Sequence, residues 1–238
     1  MLIENLQSSL IVSCQAPSHS PLHQPEVIGA IALAAINNGA RGVRIDSPSH
    51  IRAVRNIAPH TPIIGLWKQM GLDSSVYITP RFEDAVAVSE AGADIIAVDA
   101  TQRLRPNGEK MEDLIRRIKN DLGKMVMADI DTVESAIASA DAGADFIGTT
   151  LYGYTEETEG LTPPNFDFLQ QIITITNKPI ICEGGVKSPQ AAKKAIEMGA
   201  FAVVVGTAIT GIDLQTQAYS NALAQISQDS GMRELGSN

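Results

Sequence analysis

Positive charge is in short supply in this chain: 18 Lys and Arg stand against 27 Asp and Glu, a formal net charge of −9 over 238 residues. Nucleic-acid binding needs clustered cations, so the deficit argues against a nucleic-acid partner. It leaves room for a small anion, because a recessed mouth can gather local positive potential. Cysteine is equally sparse. Cys14 and Cys182 lie far apart and lack metal-ligand spacing, which fits reduced thiols in a cytoplasmic protein. No apolar run approaches the ~20 residues that cross a bilayer, so no membrane partner is expected. No Lys or Arg precedes Arg41, so no secretory leader is expected. Only four histidines are present. His19 and His23 are separated by Pro21, which prevents a regular helical ligand pair. His50 and His60 are expected on or beside a surface helix, and no strand ends in His, so a metal site is not expected.

What the chain does contain is a recurring two-residue mark. Gly39-Ala40, Gly92-Ala93, Gly143-Ala144 and Gly199-Ala200 each close a helical stretch and precede a short apolar run. They recur 53, 51 and 56 residues apart (39 to 92, 92 to 143, 143 to 199). That period is too long for a solenoid and suits two β-α units. Four such quarters give eight strands and eight helices, the count of a (β/α)₈ TIM barrel, for which about 250 residues is typical. No linker or composition shift divides the chain, so one barrel domain over 1–238 is expected, with a loose polar tail over 229–238.

Strands are expected over 10–15, 42–45, 62–68, 94–100, 125–129, 145–150, 179–184 and 201–206, each short and apolar, as in a parallel sheet covered by helices. Two connections, 69–81 and 151–165, are long for β-α loops, a length that fits lids, substrate contacts or plain surface excursions.

Active sites of such barrels lie at the strand C-termini. The odd-numbered strands end in polar residues there: Gln15, Lys68, Asp129 and Glu183. Lys68 lies six residues past Pro62 and Glu183 four past Pro179, both even offsets, so the two side chains share a face. Arg44 ends an even strand and is within reach of the same space. Lys68 follows Leu66-Trp67, an apolar setting that disfavours a charged amine. A base and an acid across one pocket suit removal and return of a proton beside a carbonyl. After strands 7 and 8 come Gly184-Gly185 and Gly206-Thr207. Glycine-rich loops at these places commonly hold a phosphate on backbone N–H groups.

The stretches LIVSCQA (10–16), YITP (77–80), GADIIAVDAT (92–101), MADI (127–130), GTTLYGYT (148–155), EGG (183–185) and VVVGTAIT (203–210) occur in order. In these the chain resembles the N-acetylmannosamine-6-phosphate 2-epimerases, also called N-acylglucosamine-6-phosphate 2-epimerases. The resemblance runs from about Leu10 to Leu214. It implies a phosphate-binding barrel of sialic-acid breakdown that interconverts two amino-sugar 6-phosphates with no cofactor, and a homodimer. It implies that Lys68 and Glu183 are catalytic, that Gln15, Arg44 and Asp129 contact substrate, and that Gly184, Gly185, Gly206 and Thr207 grip the phosphate. Two departures stand out. The family's lysine usually follows two isoleucines rather than Leu66-Trp67. Gly211 stands where the family has an arginine that contacts phosphate, and Arg81 is a candidate substitute. The rival readings are a Schiff-base aldolase using Lys68 and a sugar-phosphate sensor without turnover.

Overall fold

The computed structural model describes residues 4–70 and 74–235. Eight parallel strands close into a barrel in chain order: β1 (Ser9–Cys14), β2 (Gly42–Asp46), β3 (Ile63–Leu66), β4 (Ile95–Asp99), β5 (Met125–Asp129), β6 (Phe146–Gly148), β7 (Ile180–Cys182) and β8 (Ala202–Val205). Helices α1 (Pro25–Asn37), α2 (Pro48–Ile57), α3 (Phe82–Glu90), α4 (Met111–Asp121), α5 (Val133–Asp141), α6 (Phe166–Ile175) and α7 (Pro189–Glu197) lie between them. After β8 come a single turn, α8 (Thr207–Thr210), and the long α9 (Ile212–Leu235). Helical backbone thus continues into the segment expected to be loose from residue 229, and residues 236–238 of that segment lie outside the described residues.

The Gly-Ala marks are helix stops of one geometry. Each glycine sits at positive φ, between 95° and 104°, where a side chain is strained. Its N–H bonds back three residues, and that of the following alanine bonds back five, as in Ala40 to Ala35 and Ala144 to Ser139. This pairing closes the last turn of a helix and satisfies its free carbonyls. Each alanine is then buried, at 5% exposure or less, at the entry to the next strand. In two quarters an aspartate follows. Asp94 accepts the Ile63 N–H and pairs with Arg55; Asp145 accepts the Val126 N–H and pairs with Lys119.

Strand alternation sorts the core into two parts. Val43, Ile45, Ile63, Ile96, Val126 and Val203 face the helices. Ile11, Ile64, Leu66, Ala97, Met127 and Ile181 fill the barrel interior. The interior is crowded at Gly148, where a Cβ would run into the Met127 Cε and lie 2.9 Å from the Thr150 Oγ1. A bare glycine there leaves the room that the polar layer above needs.

Candidate functional site

The interior face of each strand ends in a polar or bare position at the mouth. Lys68 lies two residues beyond Leu66 and four beyond Ile64, and Glu183 lies two beyond Ile181, so the shared parity read from the prolines holds. Both line one cavity of 470 Å³, together with Gln15, Arg44 and Thr150. The site is not confined to odd strands. Arg44 comes from β2 and Thr150 from the end of β6, while Asp99 at the end of β4 is the register partner of Asp129.

Arg44 and Asp129 form the buried floor, at 2% and 0% exposure. The guanidinium donates to both carboxylate oxygens, at 3.1 Å and 2.6 Å, and one of its amino groups lies 3.2 Å from Glu183 Oε2. Burial opposes the Arg44 charge, but Asp129 and then Glu183 outweigh it. Asp129 therefore meets Arg44 and the Thr150 hydroxyl (2.6 Å), just beneath the residues that line the cavity.

Glu183 sits on this floor with its side chain 12% exposed. Burial pushes its carboxyl up to about 7, the buried Asp129 carboxylate adds to that, and Arg44, Thr150 and Lys68 pull the other way. Its backbone is pinned on both sides by Thr149, which donates to the Glu183 carbonyl at 2.8 Å and accepts its N–H at 3.1 Å.

Lys68 departs from the expected apolar setting. Leu66 is buried below it and Trp67 leans into the helix layer, but Lys68 itself is exposed at the mouth. Its amine donates to the Gln15 amide oxygen at 2.5 Å, and its backbone N–H to Asp46 at 2.9 Å. Gln15 is steadied in turn by the Ser13 hydroxyl at 2.9 Å. The Lys68–Gln15 contact stands between the first cavity and a second one of 490 Å³, which is walled by Trp67, Met70 and His23.

Both long connections reach the mouth. The one after β3 folds back so that Lys68 and Ile78 pair antiparallel, bringing Tyr77 and Ile78 over the cavity. Residues 71–73 of it lie outside the described residues. The one after β6 brings Leu151 and Tyr154. Burial raises the Tyr77 phenol, helped by Asp99 and Asp129; burial and then Glu183 raise that of Tyr154.

Gly184, Gly185, Gly206 and Thr207 all line the cavity. Gly184 and Gly185 have φ of 98° and 63°, and a Cβ on Gly185 would run into the Pro163 carbonyl. The first N–H groups of α8 have no acceptor within their own turn. Arg81 does not supply the cation missing at Gly211. It is held by Asp84 at 2.8 Å and Glu83 at 2.7 Å, at the start of α3. Exposed Lys187 lines the cavity instead. A Cβ at Gly211 would lie 2.8 Å from the Thr207 backbone, so this position has no room for an arginine without moving α8.

His50 is on a helix of the outer layer, as expected. It lies on α2 but is buried, at 3% exposure, with its ring edge-on to His23 at 4.6 Å. Among the described residues no group of His, Cys, Asp and Glu is arranged to hold a metal ion, and no helix is long and apolar enough to cross a membrane.

Comparison with known proteins agrees with this architecture. Residues 28–225 match the family model for N-acetylmannosamine-6-phosphate epimerase. A relative from Synechococcus elongatus is 62% identical over 93% of this chain and 96% of its own. One from Thermosynechococcus vestitus is 58% identical over the same shares. Both are named, provisionally, N-acetylmannosamine-6-phosphate 2-epimerase. The solved structure of the N-acetylmannosamine-6-phosphate 2-epimerase from Clostridium perfringens superposes with a TM-score of 0.88 at 36% identity, covering 93% of this chain and 96% of that one. Sequence and barrel together place the chain in the N-acetylmannosamine-6-phosphate epimerase family.

Proposed function

We propose that this protein interconverts N-acetylmannosamine 6-phosphate and N-acetylglucosamine 6-phosphate by moving the proton on C2, as a step of sialic-acid catabolism. The observation that carries the reading is the pair Lys68 and Glu183 on the wall of one cavity. In the open-chain sugar, C2 lies beside the C1 aldehyde, so its proton can leave to give an enolate. Inversion needs a proton taken from one face and returned to the other. Glu183, held up to about 7, exchanges a proton readily near neutral pH. Lys68, steadied by Gln15, presents its amine at the other side. Gly184, Gly185, Gly206 and Thr207 hold the phosphate on backbone N–H groups, and Lys187 adds a cation. Phosphate binding then supplies remote energy for positioning C2. Arg44 and Asp129 fix Glu183 from beneath, and Arg44 also faces the cavity, where it orients the sugar.

A homodimer in the cytoplasm completes the reading. The α9 residues from 214 to 225 are exposed, among them Leu214, Tyr219 and Leu223. Such a face is one that a second copy would cover. Buried, unbridged Cys14 and Cys182 suit a reducing compartment.

Purified protein given N-acetylmannosamine 6-phosphate should produce N-acetylglucosamine 6-phosphate, followed by proton NMR. Folded protein that turns over neither sugar phosphate would overturn the reading. Borohydride trapping of a covalent Lys68 adduct would favour aldolase chemistry instead.

A further inference from the structure

Thr150 lies where one hydroxyl proton must choose between two carboxyl groups. It stands two residues past Gly148, on the interior face, and lines the cavity. Its Oγ1 is 2.6 Å from Asp129 Oδ1 and 3.2 Å from Glu183 Oε2. A hydroxyl has one proton to donate and lone pairs with which to accept. Donating to Asp129, it offers a lone pair to a protonated Glu183. Turned the other way, it donates to an ionised Glu183. Asp129 does not depend on it, because both of its oxygens also accept from Arg44.

We propose that Thr150 is a positioning residue for the epimerisation, its hydroxyl turning between Asp129 and Glu183 as Glu183 loses and regains its proton. The proposal rests on the functional reading above. No covalent bond of Thr150 changes. The proton exchanged with C2 belongs to Glu183, and the O–H of Thr150 only rotates about its Cβ–Oγ1 bond. The glycine at 148 makes the arrangement possible, since a Cβ there would lie 2.9 Å from Thr150 Oγ1 and 3.2 Å from Asp129 Oδ1.

The two roles of the hydroxyl are unequal. A bond donated to a carboxylate is charge-assisted and roughly twice as strong as one between neutral groups. Removing the hydroxyl should therefore cost the ionised form of Glu183 more than the neutral form, and its titration should move to higher pH. The other groups that set this titration are Arg44, Asp129 and Lys68; Tyr154 and Cys182 also interact with the carboxyl, and the exposed Lys187 lines the cavity; none is altered by the change.

The test is Thr150→Val, close in shape, beside Thr150→Ser, which keeps the hydroxyl. The rate of conversion of N-acetylmannosamine 6-phosphate is measured from pH 5 to 9 for wild type and both variants. Thr150→Val should lose about ten- to a hundred-fold in kcat, and its limb near pH 7 should move upward, while Thr150→Ser keeps both rate and profile. A Thr150→Val protein with the wild-type kcat and profile would overturn the proposal. So would one slowed equally at every pH, since that is what a purely packing role predicts. If Thr150→Val does not fold, Thr150→Ala with carbon-13 NMR titration of Glu183 gives the same reading, and an unmoved titration overturns it. Absence of turnover in the wild type would count against the functional reading instead, and the NMR titration would then judge Thr150 alone.

Discussion

Replacing Glu183 by Gln should make the protein less active and, in alkaline solution, more stable. The carboxyl titrates at about 7 in the folded protein against an ordinary 4.5, mainly because it is buried. For an acid whose folded pKa is raised, the folded state binds more protons than the unfolded state between the two values. Stability therefore falls as pH rises from about 4.5 through about 7 and stays lowered above. At about 1.4 kcal/mol per pH unit, the full loss is on the order of 3 kcal/mol. Most of it, about 2–3 kcal/mol, falls between pH 5 and 8.5. Glutamine has nearly the same shape, does not titrate, and can turn its oxygen toward the Arg44 amino group that lies 3.2 Å from Oε2. Its unfolding free energy should consequently lack this slope. The assay is urea unfolding of wild type and Glu183→Gln at pH 5 and 8.5, so that all other titrations cancel in the difference. The variant should gain on the wild type by about 2–3 kcal/mol on going to the higher pH, worth roughly 5–10 °C in Tm for a chain of this size. Two parallel pH profiles would refute the claim that burial raises the Glu183 carboxyl.

Other outcomes follow from the same geometry. Lys68→Ala should lower kcat by about 10² to 10⁴ while changing substrate binding far less, and an unchanged kcat in folded protein would remove Lys68 from the chemistry. Asp129→Asn should destabilise the fold by about 3–5 kcal/mol in chemical unfolding, because it breaks a fully buried pair and leaves Arg44, among the described residues, with Glu183 as its carboxylate partner. Activity should survive EDTA, since Arg44 holds both oxygens of Asp129 and Arg103 pairs with Asp99; loss of activity restored by a divalent ion would contradict this.

The barrel was legible because its stops are chemical. Only glycine adopts the φ of these helix ends cheaply, so the Gly-Ala mark survives in the sequence wherever the geometry recurs. Parity carried Lys68 and Glu183 to one face because strand alternation is strict. The same rule applied to even strands reaches Thr150 from Gly148 and Asp99 from Ala97, but a search confined to odd strands passes over them. The Lys68 setting was misread because Leu66 and Trp67, its neighbours in sequence, point to opposite sides of the sheet and neither covers the amine. That Asp129 lies beneath the mouth with both oxygens held by Arg44 depends on side-chain reach across the barrel, which no local pattern encodes. The substitute cation for the missing arginine was sought at Arg81, whose partners Glu83 and Asp84 are near in sequence and mark it as the start of α3.

Proton exchange at C2 is the central claim, and epimerisation run in heavy water tests it most directly. Product isolated after a single turnover should carry deuterium at C2, seen as loss of the C2 proton signal, with no deuterium at other carbons. Inverted product that keeps its original C2 hydrogen in full would contradict an account in which Lys68 and Glu183 exchange that proton with solvent.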